Sequence, residues 1–94
     1  FVLVDVRQPE SFVKEHILGA INVPWAAIDQ WVSEVSKSLS AELIIYLYCE
    51  DGTESDRTAA RLRKKGYSQF ISLVGELKEW KNQLGKKFLV SGKI

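Results

Sequence analysis

The run Leu43-Ile-Ile-Tyr-Leu-Tyr48, six residues with no charge and no turn-former, constrains this chain more than any other feature. A strand with one face in water alternates apolar and polar residues. An unbroken run is the pattern of an interior parallel strand covered on both faces. Covering it takes helices, and the flanking sequence supplies them. Residues 1–7 read as a buried strand, broken by Gln8-Pro9-Glu10-Ser11, with a short helix through Phe12 and His16. Residues 20–24 form a shorter strand, ended by a proline that cannot donate to a ladder. Across residues 26–39, Ile28, Trp31, Val32, Val35 and Leu39 fall on one face of an amphipathic helix.

After the run, residues 49–54 are a polar loop and a helix follows to about Lys65. Its Ala59, Ala60 and Leu62 face inward, and Arg57, Arg61, Arg63, Lys64 and Lys65 face outward. Gly66 supplies the stop, and the last lysines complement the negative helix end. Residues 70–73 read as another strand. Residues 75–84 read as a last helix with Leu77, Trp80 and Leu84 on one side, and residues 86–94 carry no clear pattern. Strands alternating with helices predict an α/β fold, a central parallel sheet with helices on both faces.

Ninety-four residues make one domain, residues 1–94, with no room for a second core. The 46% hydrophobic content is that of a globular chain, and a formal net charge of +1 gives no general attraction to nucleic acid or to an anionic membrane. No apolar run approaches the roughly 18 residues that span a bilayer, and no signal peptide opens the chain, so a cytoplasmic protein is the expectation. The chain contains no methionine and begins inside a strand-like run, which suggests that residues precede Phe1. One cysteine and one histidine exclude an internal disulfide and leave no zinc cluster.

That cysteine, Cys49, follows the most buried strand and precedes a loop and a helix. In open parallel sheets, ligands bind beyond the carboxyl ends of the strands. Thr53 or Ser55 can cap the helix, Thr53 with Asp56 resembling a capping box, and either cap aims free amides and the positive helix end at the sulfur. Such donors favour a thiolate or a persulfide anion. Gly52 allows the positive φ that curls a loop into a cradle. Asp5 and Arg7 read as a pair fixing the end of the first strand, His16 and Asn22 as turn residues, and Trp31 as core.

These residues resemble a known family. Cys49-Glu-Asp-Gly52-Thr-Glu-Ser55 is similar to the Cys-x-x-Gly-x-x-Ser loop of rhodaneses, the sulfurtransferases. Leu3-Val-Asp5-Val-Arg7 is similar to their first strand, and His16-Ile-Leu-Gly19-Ala20-Ile-Asn22-Val-Pro24 to their His-Ile-x-Gly-Ala-x-Asn-x-Pro signature. Gly66-Tyr67, Leu73-Val-Gly75 and Trp80 resemble the family's closing segment. The resemblance implies a rhodanese-like sulfurtransferase or sulfur carrier. Cys49 would take sulfur from a donor as a persulfide and pass it to a thiol, cyanide or a partner protein's cysteine. Glu50, Asp51, Gly52, Thr53, Glu54 and Ser55 would line the substrate, and no metal or organic cofactor is implied. The oligomeric state is left open.

One departure bears on the donor. Members that act on thiosulfate usually carry arginine five residues after the cysteine, where this chain has Glu54. Glu50, Asp51 and Asp56 add negative charge nearby. Unit charges about 4 Å apart interact by roughly 4 kcal/mol at an effective dielectric of 20. An anionic donor is therefore repelled and thiosulfate is disfavoured. A second reading is a catalytically weak binding or regulatory module on the same fold. A phosphatase needs a Cys-x5-Arg loop, and the sixth residue after Cys49 is Ser55.

Overall fold

A computed structural model describes residues 2–40, 42–50, 52–73 and 89–92. Strand β1 (Val2–Asp5) leads through α1 (Pro9–Lys14) and β2 (His16–Ile17) to β3 (Ile21–Asn22). A 3-10 turn (Trp25–Ala27) opens into α2 (Ile28–Val35), followed by β4 (Ile45–Tyr48), α3 (Thr53–Lys64), β5 (Phe70–Ser72) and β6 (Leu89–Val90). The main sheet is parallel throughout, in the order β3-β1-β4-β5.

The apolar run acquires its physical reason over Ile45–Tyr48, whereas Leu43 and Ile44 precede the strand and Ile44 is exposed. In β4, Ile45 and Leu47 point to one face and Tyr48 to the other, because side chains alternate along a strand. Ile45 and Leu47 pack with Val4, Phe70, Ile28 and Val32 of α2, and Ala59 and Leu62 of α3. Tyr48 packs with Leu3, Phe12 of α1, Ile17 and Ala20. Helices thus lie on both faces, and β4 is an interior strand, hydrogen-bonded to β1 and β5.

Several expected boundaries move. The helix expected to run through His16 ends at Lys14, where Glu15 turns to extended geometry (φ −168°, ψ 133°). His16 enters β2 instead. Its buried ring stacks on Phe12 with centroids 3.7 Å apart, and its Nδ1 contacts the Phe12 carbonyl at 2.7 Å. β2 pairs antiparallel with β6, His16 opposite Val90, in a ribbon no sequence pattern announced. The helix expected across 26–39 is shorter, a 3-10 turn and then eight residues, and serine-containing turns follow it. On α3, Ala59 and Leu62 are buried but Ala60 is exposed, about 100° around the helix from its neighbour. Gly66 does end this helix, at φ +98°. The helix expected over residues 75–84 lies outside the described residues.

The order β3-β1-β4-β5 places a topological switch between β1 and β4. The chain steps from β1 to one side and then crosses back to the other. Connections leave the carboxyl ends of these two neighbours in opposite directions and open a crevice there. Arg7 and Cys49 follow those ends.

Candidate active site

The end of β1 is pinned by a buried ion pair. Asp5, fully buried, accepts from the Arg7 backbone N–H at 2.8 Å and from Arg7 Nη2 at 2.8 Å and Nε at 3.0 Å. Arg7 Nη2 also donates to the Glu15 carbonyl at 2.5 Å. Burial works against the Arg7 charge, but the hydrogen bonds and charge of Asp5 outweigh it and hold the guanidinium above its ordinary pKa. Asn22, half-buried in β3, donates to the carbonyls of Asp5 and Arg7 at 3.0 Å each and ties the next strand to the same point. Arg7 Nη1 reaches Glu50 Oε2 at 3.5 Å, joining β1 to the loop after Cys49.

Cys49 continues the alternation of β4 onto the face that α3 covers, and the residue is 3% exposed. The loop curls back on it. The Gly52 N–H donates to Cys49 Sγ at 3.0 Å and the Ser55 N–H at 3.5 Å. Gly52 adopts φ +89°, the left-handed region that side chains resist, and is itself the residue before the helix. The N-cap is therefore Gly52 rather than Thr53 or Ser55. Thr53 and Glu54, expected in the loop, are the first two residues of α3. The reason is geometric: Ser55 is the third helical residue, whose amide a capping side chain usually satisfies, and the sulfur takes that acceptor role. The Ser55 hydroxyl lies 3.5 Å from Sγ and 3.3 Å from the Gly52 carbonyl.

Of the residues assigned to substrate, Glu50, Gly52, Thr53, Glu54 and Ser55 surround the sulfur in sequence but not all in direction. Gly52 and Ser55 face it. Glu50 is 58% exposed and turned to Arg7, and Glu54 is 37% exposed and lies 3.8 Å from Arg57, one turn along α3. Asp51 lies outside the described residues. Arg57 is thus engaged with Glu54.

One partner of the site was not read from the sequence. Ser72, the last residue of β5, places its hydroxyl 3.0 Å from that of Ser55 and hydrogen-bonds the Asp56 carboxylate. The available signal was positional: Ser72 sits at the carboxyl end of the strand beside β4, where site residues gather in parallel sheets. Among the described residues, no group of three His, Cys, Asp or Glu is placed to hold a metal ion, and no helix is long and apolar enough to cross a membrane.

The comparisons agree with this architecture. The uncharacterized protein YqhL of Bacillus subtilis is 36% identical over 85 residues, 90% of this chain and 64% of YqhL. The chain therefore spans just under two thirds of that relative. The thiosulfate sulfurtransferase GlpE of Coxiella burnetii is 30% identical over 80 residues, 85% of this chain and 71% of GlpE. A solved rhodanese with anions from E. coli superposes with a TM-score of 0.70 at 27% identity, covering 97% of this chain and 98% of the other. The family model described as Rhodanese-like domain matches residues 1–83, and the chain belongs to that family.

Proposed function

We propose that this domain carries sulfane sulfur as a persulfide on Cys49. The observation that carries the reading is the pair of amides, Gly52 at 3.0 Å and Ser55 at 3.5 Å, aimed at Sγ from the N-terminal end of α3. Donors in that position, added to the positive end of a twelve-residue helix, favour negative charge on sulfur. They serve the thiolate that attacks and the terminal anion of the persulfide that results.

The chemistry balances in two displacements. The Cys49 thiolate attacks the outer sulfur of a donor, a sulfur–sulfur bond forms, and the donor's bond to that sulfur breaks with its electron pair leaving on the donor fragment. A nucleophilic acceptor, a thiol or cyanide, then attacks the outer sulfur and the Cys49 thiolate departs. Glu54 stands where thiosulfate-using members carry arginine, so this loop suits a donor with less negative charge than the thiosulfate dianion, such as a small-molecule persulfide. In this reading the loop of residues 50–55 meets the substrate, with Gly52 and Ser55 at the sulfur and Glu50 and Glu54 turned to Arg7 and Arg57 at its rim.

The near-complete burial of Cys49 and the acidic loop favour a second reading, a catalytically weak binding module. Cyanolysis separates the two. The protein is incubated with a small-molecule persulfide or with thiosulfate, desalted and treated with cyanide, and thiocyanate is measured. The carrier reading expects about one thiocyanate per chain after the persulfide, far less after thiosulfate, and none from Cys49→Ser. No thiocyanate above the Cys49→Ser level with either donor would leave only the binding module.

A further inference from the structure

Cys49 is connected to the surface by a chain of hydroxyls. Its Sγ lies 3.5 Å from Ser55 Oγ, Ser55 Oγ lies 3.0 Å from Ser72 Oγ, and Ser72 Oγ hydrogen-bonds Asp56 Oδ1. Cys49 and Ser55 are buried, Ser72 is half-buried, and Asp56 is exposed. Each hydroxyl has one hydrogen, and an ionised carboxylate can only accept. Asp56 therefore claims the hydrogen of Ser72. The single hydrogen of Ser55 then has two acceptors, the Ser72 oxygen at 3.0 Å and the Gly52 carbonyl at 3.3 Å, and either turns the Ser55 lone pairs towards the sulfur. Given to the nearer, it makes the donors run outward, from S–H through Ser55 and Ser72 to Asp56.

We propose that Ser72 and Asp56 are positioning residues that hold the proton on resting Cys49 through Ser55. This rests on the reading of Cys49 as the sulfur-carrying residue and deepens it. Ionising the thiol reverses the chain: the S–H bond breaks, each hydroxyl passes a proton one place outward, and the last leaves from Asp56 to water. Asp56 is left facing a Ser72 oxygen with no hydrogen between them, which costs one charge-assisted hydrogen bond. The amides of Gly52 and Ser55 pull towards the anion and the hydroxyl chain pulls towards the thiol. A loaded Sγ carries no proton, so the chain acts on the empty domain alone.

Among the described residues, the other charges near the sulfur are engaged elsewhere or act through space. Glu50 faces Arg7, which also holds Asp5, and Glu54 faces Arg57. From β5 the neighbour is the neutral Ser72, and Tyr48 points to the opposite face of the sheet.

The test is the rate of Cys49 alkylation by iodoacetamide against pH, in variants shown folded by circular dichroism and thermal melting. Cys49 is the chain's single cysteine, so the signal is unambiguous. Ser72→Ala cuts the chain without changing charge, and the rate near neutral pH should rise roughly fivefold, the worth of one net hydrogen bond, with the high-pH plateau unchanged. Ser72→Thr keeps the hydroxyl and should follow the wild type. Asp56→Asn should also raise the neutral rate, and by less in the Ser72→Ala background than in the wild type. A Ser72→Ala profile superimposed on the wild type, or lying below it, overturns the proposal. So does an Asp56→Asn effect of equal size in both backgrounds, because charge acting through space needs no Ser72. Iodoacetamide transfers no sulfur, so this result and the cyanolysis result can fail independently.

Discussion

Glu54 stands on the first turn of the helix whose amides face the sulfur, half in solvent and loosely matched with Arg57. An exposed pair of this kind contributes little to stability, so Glu54 is free to be judged by its charge. Glu54→Arg replaces a repulsive group with one that can pair two oxygens of a sulfonate-like donor at once. We expect thiosulfate–cyanide activity to be low in the wild type and to rise at least tenfold in the variant, a change of about 1.4 kcal/mol in the barrier. Cys49→Ser in the same background should abolish it. Equal turnover of thiosulfate by wild type and variant would show that the loop does not select against anions. At this scale Cys49 and Gly52 were legible because a strand end, a glycine and a helix start lie together in sequence. Ser72 was not, since it meets Ser55 only through the pairing of β5 with β4, in which Leu47 lies opposite Ser72.

The same strand holds the elements around it. Tyr48, fully buried, accepts the Ile17 N–H at 3.1 Å and so ties β2 to the main sheet. Burial first, and the Asp5 carboxylate second, hold this phenol protonated well beyond its usual range. An unfolded tyrosine ionises near pH 10, so above that pH the unfolded state binds fewer protons than the folded one. The contribution of Tyr48 is therefore intact below about pH 10 and is lost progressively above it. Tyr48→Phe should cost about 1–3 kcal/mol at neutral pH, because it strands the Ile17 amide. In denaturant titrations, the gap between wild type and variant should shrink as pH rises past 10. A constant gap would show that the phenol ionises as freely when folded as when unfolded. The long elements were legible because their periodicity is long enough to read. β2 and β6, two residues each and joined across most of the chain, carry no period, so the sequence pattern alone extends the preceding helix through His16.

For the molecule as a whole, parallel pairing sets the site. Four strands in the order β3-β1-β4-β5 put the switch between β1 and β4, and Arg7 and Cys49 follow the two strand ends that border it. The alternation of β4, with Leu47 and Cys49 on the α3 face and Tyr48 on the α1 face, makes one strand serve both the core and the sulfur. The α/β class, the interior place of β4 and the family were all legible, since each rests on hydrophobic pattern or on local motif. The donor was not, because it depends on where Glu50, Glu54 and Arg57 point, and the structure turns them towards one another or towards Arg7 rather than to the sulfur. The central claim is that Cys49 holds a sulfur, and intact-mass spectrometry after exposure to a small-molecule persulfide, without reductant, tests it most directly. The account predicts the mass of one added sulfur atom, localised to the Cys49 peptide, removed by cyanide and absent from Cys49→Ser. A wild-type protein whose mass stays unchanged, or gains the same sulfur when Cys49 is serine, would contradict it.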